Sequence, residues 1–240
     1  MPKQSIPILM YHSIEEMPKS TVMRSLHVPP KNFMTQMKLL NLLGYKGLSM
    51  RELTPYLEGN KTGKVVGVTF DDGYQNNLIN AAPILQKFNF SATCYLVSER
   101  IGTSNIWDLD NGITQRPLMT KTEIKKWLDL GQDIGAHTES HALLEGLSEH
   151  QAHEEIFNCK SKLEQIFKIS IKDFCYPFGR FNETHVNMTK DAGYITATTM
   201  SRGRARPQSN KLMLPRIPVT NRTLPHLFLA KILTKYEDKR

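Results

Sequence analysis

The chain has few cysteines and no pattern among them: Cys94, Cys159 and Cys175 form no Cys-x-x-Cys pair and are odd in number. This excludes a disulfide framework and a structural zinc site of thiolates, and leaves three small buried hydrophobes as the expectation. Long apolar stretches are also missing. Runs such as 8–11 and 65–68, with their neighbours, reach five or six residues, far short of a membrane span. The apolar run near the N-terminus is too short for a signal-peptide core, and no small-residue cleavage site follows it. A cytoplasmic location is therefore the expectation, with the periplasm or secretion as the alternative for a chain trimmed of its leader. Internal repeats, low-complexity tracts and Pro/Gly/Ser linkers are absent, so the chain reads as a single domain over 1–240 with a basic C-terminal segment, 200–240. A hydrophobic content of 40% with 22% charged residues excludes a disordered or collagen-like chain.

Charge of one sign is missing from one region. Residues 192–236 contain no Asp or Glu but hold Arg202, Arg204, Arg206, Lys211, Arg216, Arg222, Lys231 and Lys235, which accounts for the whole net charge of +8. Such a stretch can meet an anionic ligand, a membrane surface or nucleic acid. Here the charges are scattered and not interleaved with aromatics, so a solvated loop and helix face is expected and nucleic acid is not.

Against these absences, short apolar runs alternate with amphipathic stretches. Strands are expected at 8–11, 47–49, 65–70, 92–97, 133–136, 173–176, 195–199 and 213–219. Phe33, Met37, Leu40 and Leu43 recur at helical spacing up to Gly44. Thr120-x-x-Glu123 and Ser148-x-x-Gln151 have the form of capping boxes. The first opens a helix that stops at Gly131, and the second a long helix with Ala152, Ile156, Cys159, Leu163, Ile166 and Phe167 on one stripe. Strand–helix alternation along the whole chain predicts a parallel sheet covered by helices, either a (β/α) barrel or a doubly wound sheet.

In such folds chemistry gathers beyond the C-terminal strand ends. There the sequence places His12, the pair Asp71-Asp72, the pair His137 and His141, and Pro177-Phe178-Gly179. Adjacent carboxylates are costly unless a cation compensates them. If extended, they point to opposite sides, so one can bind a metal while the other stays free as a base. Gly73 permits a sharp turn out of the strand. His137 and His141, four apart, share a side if the segment makes a helical turn. The acid between them, Glu139, is one place too late for the zincin metalloprotease pattern. Two imidazoles and Asp72, with positions left open, match a catalytic rather than a closed structural site.

Thr-Phe-Asp-Asp-Gly (69–73), His-Thr-x-x-His (137–141) and Tyr-Pro-Phe-Gly (176–179), in this order, resemble the first three motifs of the NodB-type polysaccharide deacetylases, carbohydrate esterase family 4. The stretches 7–13 and 214–219 are similar to the branch that includes poly-N-acetylglucosamine deacetylases. The resemblance runs from about residue 7 to 219 and implies a distorted (β/α) barrel of about seven parallel strands. It implies Asp71 as general base, and Asp72, His137 and His141 as ligands of a divalent ion. Zinc is the expected ion, with cobalt, nickel, manganese or iron as alternatives. Backbone around Tyr176 would help bind the oxyanion, with Pro177 and Gly179 shaping that loop. The family's late Leu-x-His motif is not evident. In the named branch a histidine after the first strand replaces it, which points to His12 over the late His226 as general acid. The family often carries Arg two residues before the motif-three proline. This chain has Cys175 there, and Arg216 is the candidate to supply the missing guanidinium. Trp107 could stack on a sugar ring or belong to the core, and Tyr74 could line the cleft.

The reaction implied is removal of the N-acetyl group from an N-acetylated amino sugar of a polysaccharide or glycan precursor, with release of acetate. The basic segment would suit a phosphate-bearing sugar. Two rival readings stay open: a hydrolase of small non-sugar amides or imides on the same scaffold, and an inactive module that binds glycan or polyanion.

Overall fold

Residues 5–239, the part of the chain that the computed structural model describes, alternate strands and helices throughout. The strands are β1 (Ile8–Tyr11), β2 (Lys46–Leu48), β3 (Val65–Phe70), β4 (Thr93–Leu96), β5 (Asp133–Ala136), β6 (Asp173–Cys175), β7 (Thr196–Arg202) and β8 (Leu214–Pro218). The helices are α1 (Pro30–Leu42), α2 (Met50–Leu57), α3 (Ala82–Lys87), α4 (Lys121–Asp129), α5 (Glu149–Phe167), α6 (Glu183–Asp191) and α7 (Pro225–Leu233). The capping boxes at Thr120 and Ser148 are both formed.

All strand pairs are parallel, in the order β1-β8-β7-β6-β5-β4-β3, and β3 closes the ring by pairing with β1. The result is a closed barrel of seven strands wrapped by helices. The eighth, β2, distorts it: β2 pairs with residues 65–67 of β3 while β4 pairs with Thr69 and Phe70 on the same edge. Gly47 lets this wedge approach, since a Cβ there would lie 2.7 Å from the Phe90 ring.

The two-residue repeat of the strands decides what reaches the barrel axis. In β3, Val66, Val68 and Phe70 pack outward in the main core beneath the helices, while Val65 joins the interior cluster with Ile8, Tyr95, Cys175 and Leu214. Gly67, facing the same way as Val65, leaves room for Leu53 of α2, whose side chain would stand 2.9 Å from a Cβ at that position. By the same count Thr69 and Asp71, His12 after β1, His137 after β5, Cys175 in β6 and Arg216 in β8 all turn inward. The chemistry-bearing residues thus share one axis because they keep the inward phase of parallel strands.

The opposite end of the barrel carries a buried acid. Asp173 accepts a hydrogen bond from Thr196 Oγ1 at 2.5 Å. Burial, reinforced by the nearby Asp133, raises its pKa from 3.8 to about 6. The folded state therefore holds this proton more tightly than the unfolded chain does. Its stability falls as pH rises from about 4 to about 6, by about 2–3 kcal/mol in total. Asp173→Asn keeps an oxygen for Thr196 and removes that loss. Urea unfolding should show the variant gaining on the wild type across this interval and holding the gain at pH 7. A gap independent of pH would mean that Asp173 does not titrate there.

The basic segment is only in part the solvated face expected of it: Arg202, Arg206, Arg222 and Lys235 are exposed. Arg216 is fully buried. Arg202 and Lys231 both pair with the buried Glu237. Arg204 donates to the carbonyl oxygens of Ile232 and Thr234 at the end of α7, where a cation also meets the negative end of the helix. Arg206 faces Asp238, and Lys211 faces Glu58. The acids that pair with this stretch lie just after it or far from it in sequence, while Arg222 and Lys235 stay exposed.

Candidate active site

A cleft of about 430 Å³ opens at the C-terminal ends of the strands. Its floor is made by His12, Asp71, Asp72, His137 and His141, and its walls include Val22, Met23, Trp107, Asp108, Phe178 and Met200. No helix among the described residues is long and apolar enough to cross a membrane.

Asp71 is buried and gripped by Arg216, whose Nη1 and Nη2 donate to its two oxygens at 2.7 Å each. The guanidinium also donates through Nε to Thr199 O at 2.9 Å, through Nη1 to Thr69 Oγ1 at 3.1 Å and through Nη2 to Cys175 Sγ at 3.3 Å. All five of its N–H groups have partners. Burial alone would push the Asp71 carboxyl up. The Arg216 charge and hydrogen bonds outweigh it and hold the pKa below the ordinary value. Cys175 is therefore more than a small hydrophobe, because its sulfur accepts from the guanidinium. His12 Nε2 stands 3.9 Å from Asp71 Oδ2, at the exposed side of the pair. Asn77 fixes that strand end by donating to His12 O at 2.7 Å. His226 is exposed on α7 and is not among the residues lining the cleft.

Asp72 faces the two imidazoles. His137 Nε2 and His141 Nε2 lie 3.5 and 3.4 Å from the same oxygen, Asp72 Oδ1. These separations exceed a good N–H···O hydrogen bond. They match two ligands on one tetrahedral ion, which stand about 3.3–3.5 Å apart when each bond is about 2.0–2.2 Å. His137 Nδ1 donates to Cys175 O at 2.7 Å, which leaves Nε2 as the lone-pair atom. Burial keeps His141 below its ordinary pKa and so neutral. Burial opposes the charge on Asp72, but the imidazoles facing it hold its carboxyl well below the usual range. His137 is the opposite case: burial disfavours its charge, but Cys175 and the carboxylates of Asp72 and Asp71 outweigh this and raise its pKa well above the ordinary value, so an ion binding at Nε2 would displace a proton there. A carboxylate and two imidazoles whose Nε2 atoms converge on it form a donor set that fits a divalent ion.

The backbone reaches this arrangement by strain, not by regular structure. Asp72 has φ 74°, Thr138 63°, His141 69° and Phe178 57°, all left-handed and none of them glycine. Such strain gathers at functional sites. Asp71 and Asp72 therefore separate through a left-handed turn at Asp72 instead of strand alternation. The segment 137–141 is likewise a loop and not the helical turn expected for the histidine pair. Glu155 of α5 holds that loop, accepting the N–H groups of Glu139 and Ser140 at 2.8 and 2.9 Å.

Tyr74 departs from expectation. It is 1% exposed and absent from the cleft lining. The turn at Gly73 (φ 81°) carries it beneath the 101–118 loop, where it bridges to Leu118. Trp107 does line the cleft and lies with its face on His141. The Tyr176 ring points away, its hydroxyl donating to Leu212 O at 3.1 Å, so its backbone is what the cleft meets. That N–H already donates to Thr198 O at 3.2 Å, and an oxyanion contact has to be made alongside this bond. Pro177 opens the turn, and Gly179 (φ 62°) closes it against Met200, whose backbone N would lie 3.0 Å from a Cβ.

The positions of Asp108, Glu155 and Asn77 were not read from the sequence, and Phe178 was placed at a strand end without a role of its own. Glu155 left a signal, as an acid flanking the buried stripe of α5; Asp108 and Asn77 depend on loop geometry.

Residues 58–197 match the family model described as Polysaccharide deacetylase. YxkH of Bacillus subtilis (strain 168) is 31% identical over 217 residues, covering 90% of this chain and 71% of its own length. The poly-beta-1,6-N-acetyl-D-glucosamine N-deacetylase of Staphylococcus epidermidis is 26% identical over 212 residues, 84% of this chain and 71% of that one. The solved structure of the Streptococcus pyogenes deacetylase PplD in complex with acetate superposes with a TM-score of 0.83 at 27% identity, covering 96% of this chain and 99% of that chain. Barrel, motif order and matched residues agree, and the chain belongs to the polysaccharide deacetylase family.

Proposed function

We propose that this chain is a metal-dependent hydrolase that removes N-acetyl groups from N-acetylated amino sugars of a glycan and releases acetate. The observation that carries the reading is the division of labour between neighbours. Asp72 joins His137 and His141 in one cluster; Asp71 also lies close to His137 and Cys175, but Arg216 holds both its oxygens at 2.7 Å, so it stands as a carboxylate paired with a cation beside the cluster.

Asp72, His137 and His141 would hold the ion, with zinc the expected identity. When bound, a divalent ion supplies Lewis acidity and makes water a stronger nucleophile at neutral pH. Asp71, kept ionised by Arg216, takes the proton of the attacking water. His12, beside Asp71 at the solvent-facing edge, returns a proton to the departing amine, which would otherwise be a very poor leaving group. Backbone at Tyr176, on a turn shaped by Pro177 and Gly179, faces the oxyanion.

Among the described residues, those lining the cleft include three carboxylates, from Asp71, Asp72 and Asp108, and no lysine or arginine. That lining favours a neutral glycan over the phosphate-bearing sugar suggested by composition. The relative that acts on poly-beta-1,6-N-acetyl-D-glucosamine directs the first assay. Purified protein should release acetate from β-1,6-linked N-acetylglucosamine oligomers, lose that activity on chelation and regain it with zinc. Activity unchanged by chelation would overturn the metal role. Turnover of cyclic imides without turnover of N-acetyl sugars would replace the substrate.

A further inference from the structure

The two histidines of the cluster are held by different means. His137 has the hydrogen bond that orients most metal-binding imidazoles, from Nδ1 to a carbonyl at 2.7 Å. His141 has none: its Nδ1 is buried without a hydrogen-bond partner. Its ring is packed between aromatic groups instead. Trp107 lies face to face with it at 4.4 Å and 21°, and Phe178 meets it edge-on at 4.6 Å and 76°.

Both neighbours are placed at some cost. Phe178 is 46% exposed and has a left-handed backbone (φ 57°), so neither burial nor conformation favours a phenylalanine there. Trp107 sits in a 3-10 turn, Ile106–Asn111, whose start is pinned by the fully buried Asn105. The Asn105 amide accepts from Arg116 N at 2.6 Å and donates to Asp108 Oδ2 at 3.0 Å. A rigid support thus ends in one indole face lying on one imidazole.

We propose that Trp107, acting with Phe178, is a positioning residue that holds the His141 imidazole with Nε2 toward Asp72, replacing the outer hydrogen bond that His137 has and His141 lacks. The proposal rests on the reading of Asp72, His137 and His141 as metal ligands. It differs from the view of Trp107 as a sugar platform, because one indole face is already covered by His141.

The test compares the wild-type chain with Trp107→Phe, Trp107→Leu and Phe178→Ala. Zinc affinity is measured by competition with a chromophoric chelator, alongside thermal melts of the metal-free proteins. Trp107→Leu keeps apolar bulk without a ring face and should weaken zinc binding about 10-fold or more, with the metal-free melt unchanged. Trp107→Phe should restore affinity to within a few-fold, and Phe178→Ala should fall between. Cobalt(II) adds a spectroscopic readout. The chain has two tryptophans, and Trp127 is fully buried in the core. Cobalt should quench the wild-type emission and leave the remaining emission of Trp107→Phe largely unquenched. Wild-type zinc affinity in Trp107→Leu, with only KM raised, would overturn the proposal in favour of the sugar platform. A wild-type protein that binds neither zinc nor cobalt would bring down the metal reading and the clamp together.

Discussion

Asp71→Asn is expected to slow acetate release by about 10²–10⁴-fold, the usual range for a positioned general base, while metal content stays at the wild-type level. The separation of these effects follows from the geometry. Asp71 is buried, and both its oxygens are taken by Arg216 at 2.7 Å. Asp72, with His137 and His141, supplies the cluster. An asparagine at 71 still accepts from one guanidinium nitrogen but cannot take a proton from water. Its NH₂ group faces the second nitrogen, so some stability is lost as well, and turnover must be compared at a temperature where both proteins are folded. Asp72→Asn should behave differently and lose metal and turnover together. Wild-type turnover in Asp71→Asn would remove it as the base, and loss of the metal in that variant would place Asp71 among the ligands.

The strands were legible because they are buried on both faces and read as short continuous apolar runs between turn signals. The strand ends that carry His12, Asp71 and His137 were legible too, and the family resemblance nominated Arg216. That Cys175 and Arg216 turn to the same axis as these residues follows from the strand phase seen in the structure. What the sequence hides is backbone conformation. Nothing in the residue types announces left-handed geometry at Asp72, Thr138, His141 and Phe178, because these are not glycines and the cost is met by surrounding contacts such as Glu155 on the 139–140 amides. Hence the histidine pair looked like a helical turn and the aspartate pair like strand alternation. Tyr74 was misplaced for the same reason, since the turn at Gly73 sends it under a loop instead of into the cleft. The basic segment misled by proximity in sequence. Its partners, Glu58, Asp71, Glu237 and Asp238, all lie outside it.

Arg216→Met should cost about 3–5 kcal/mol of stability, the range for breaking one side of a buried ion pair, and should also depress turnover. Methionine fills much of the volume but leaves Asp71 as a buried carboxylate with its main cation gone. Thr199 O loses its donor as well. Burial, no longer outweighed by the guanidinium, then drives the Asp71 pKa upward. The wild-type carboxyl sits below its ordinary value and is ionised throughout the neutral range. In the variant a growing share is protonated as pH falls toward neutrality, so the acid limb of the rate profile moves up and the deficit widens at lower pH. Arg216→Lys keeps the charge but has three donors on one nitrogen where the guanidinium spreads five over three. It should recover part of the stability and less of the turnover, because a point charge cannot hold both carboxylate oxygens in place. A further variant, Asp71→Leu with Arg216→Met, separates charge from packing. It should be inactive yet more stable than Arg216→Met alone, since no unpaired charge is left inside the barrel. Urea unfolding of the three proteins decides the matter. A double variant no more stable than Arg216→Met would show that the loss comes from cavities around β8, and that the ion pair is not what holds this end of the barrel together.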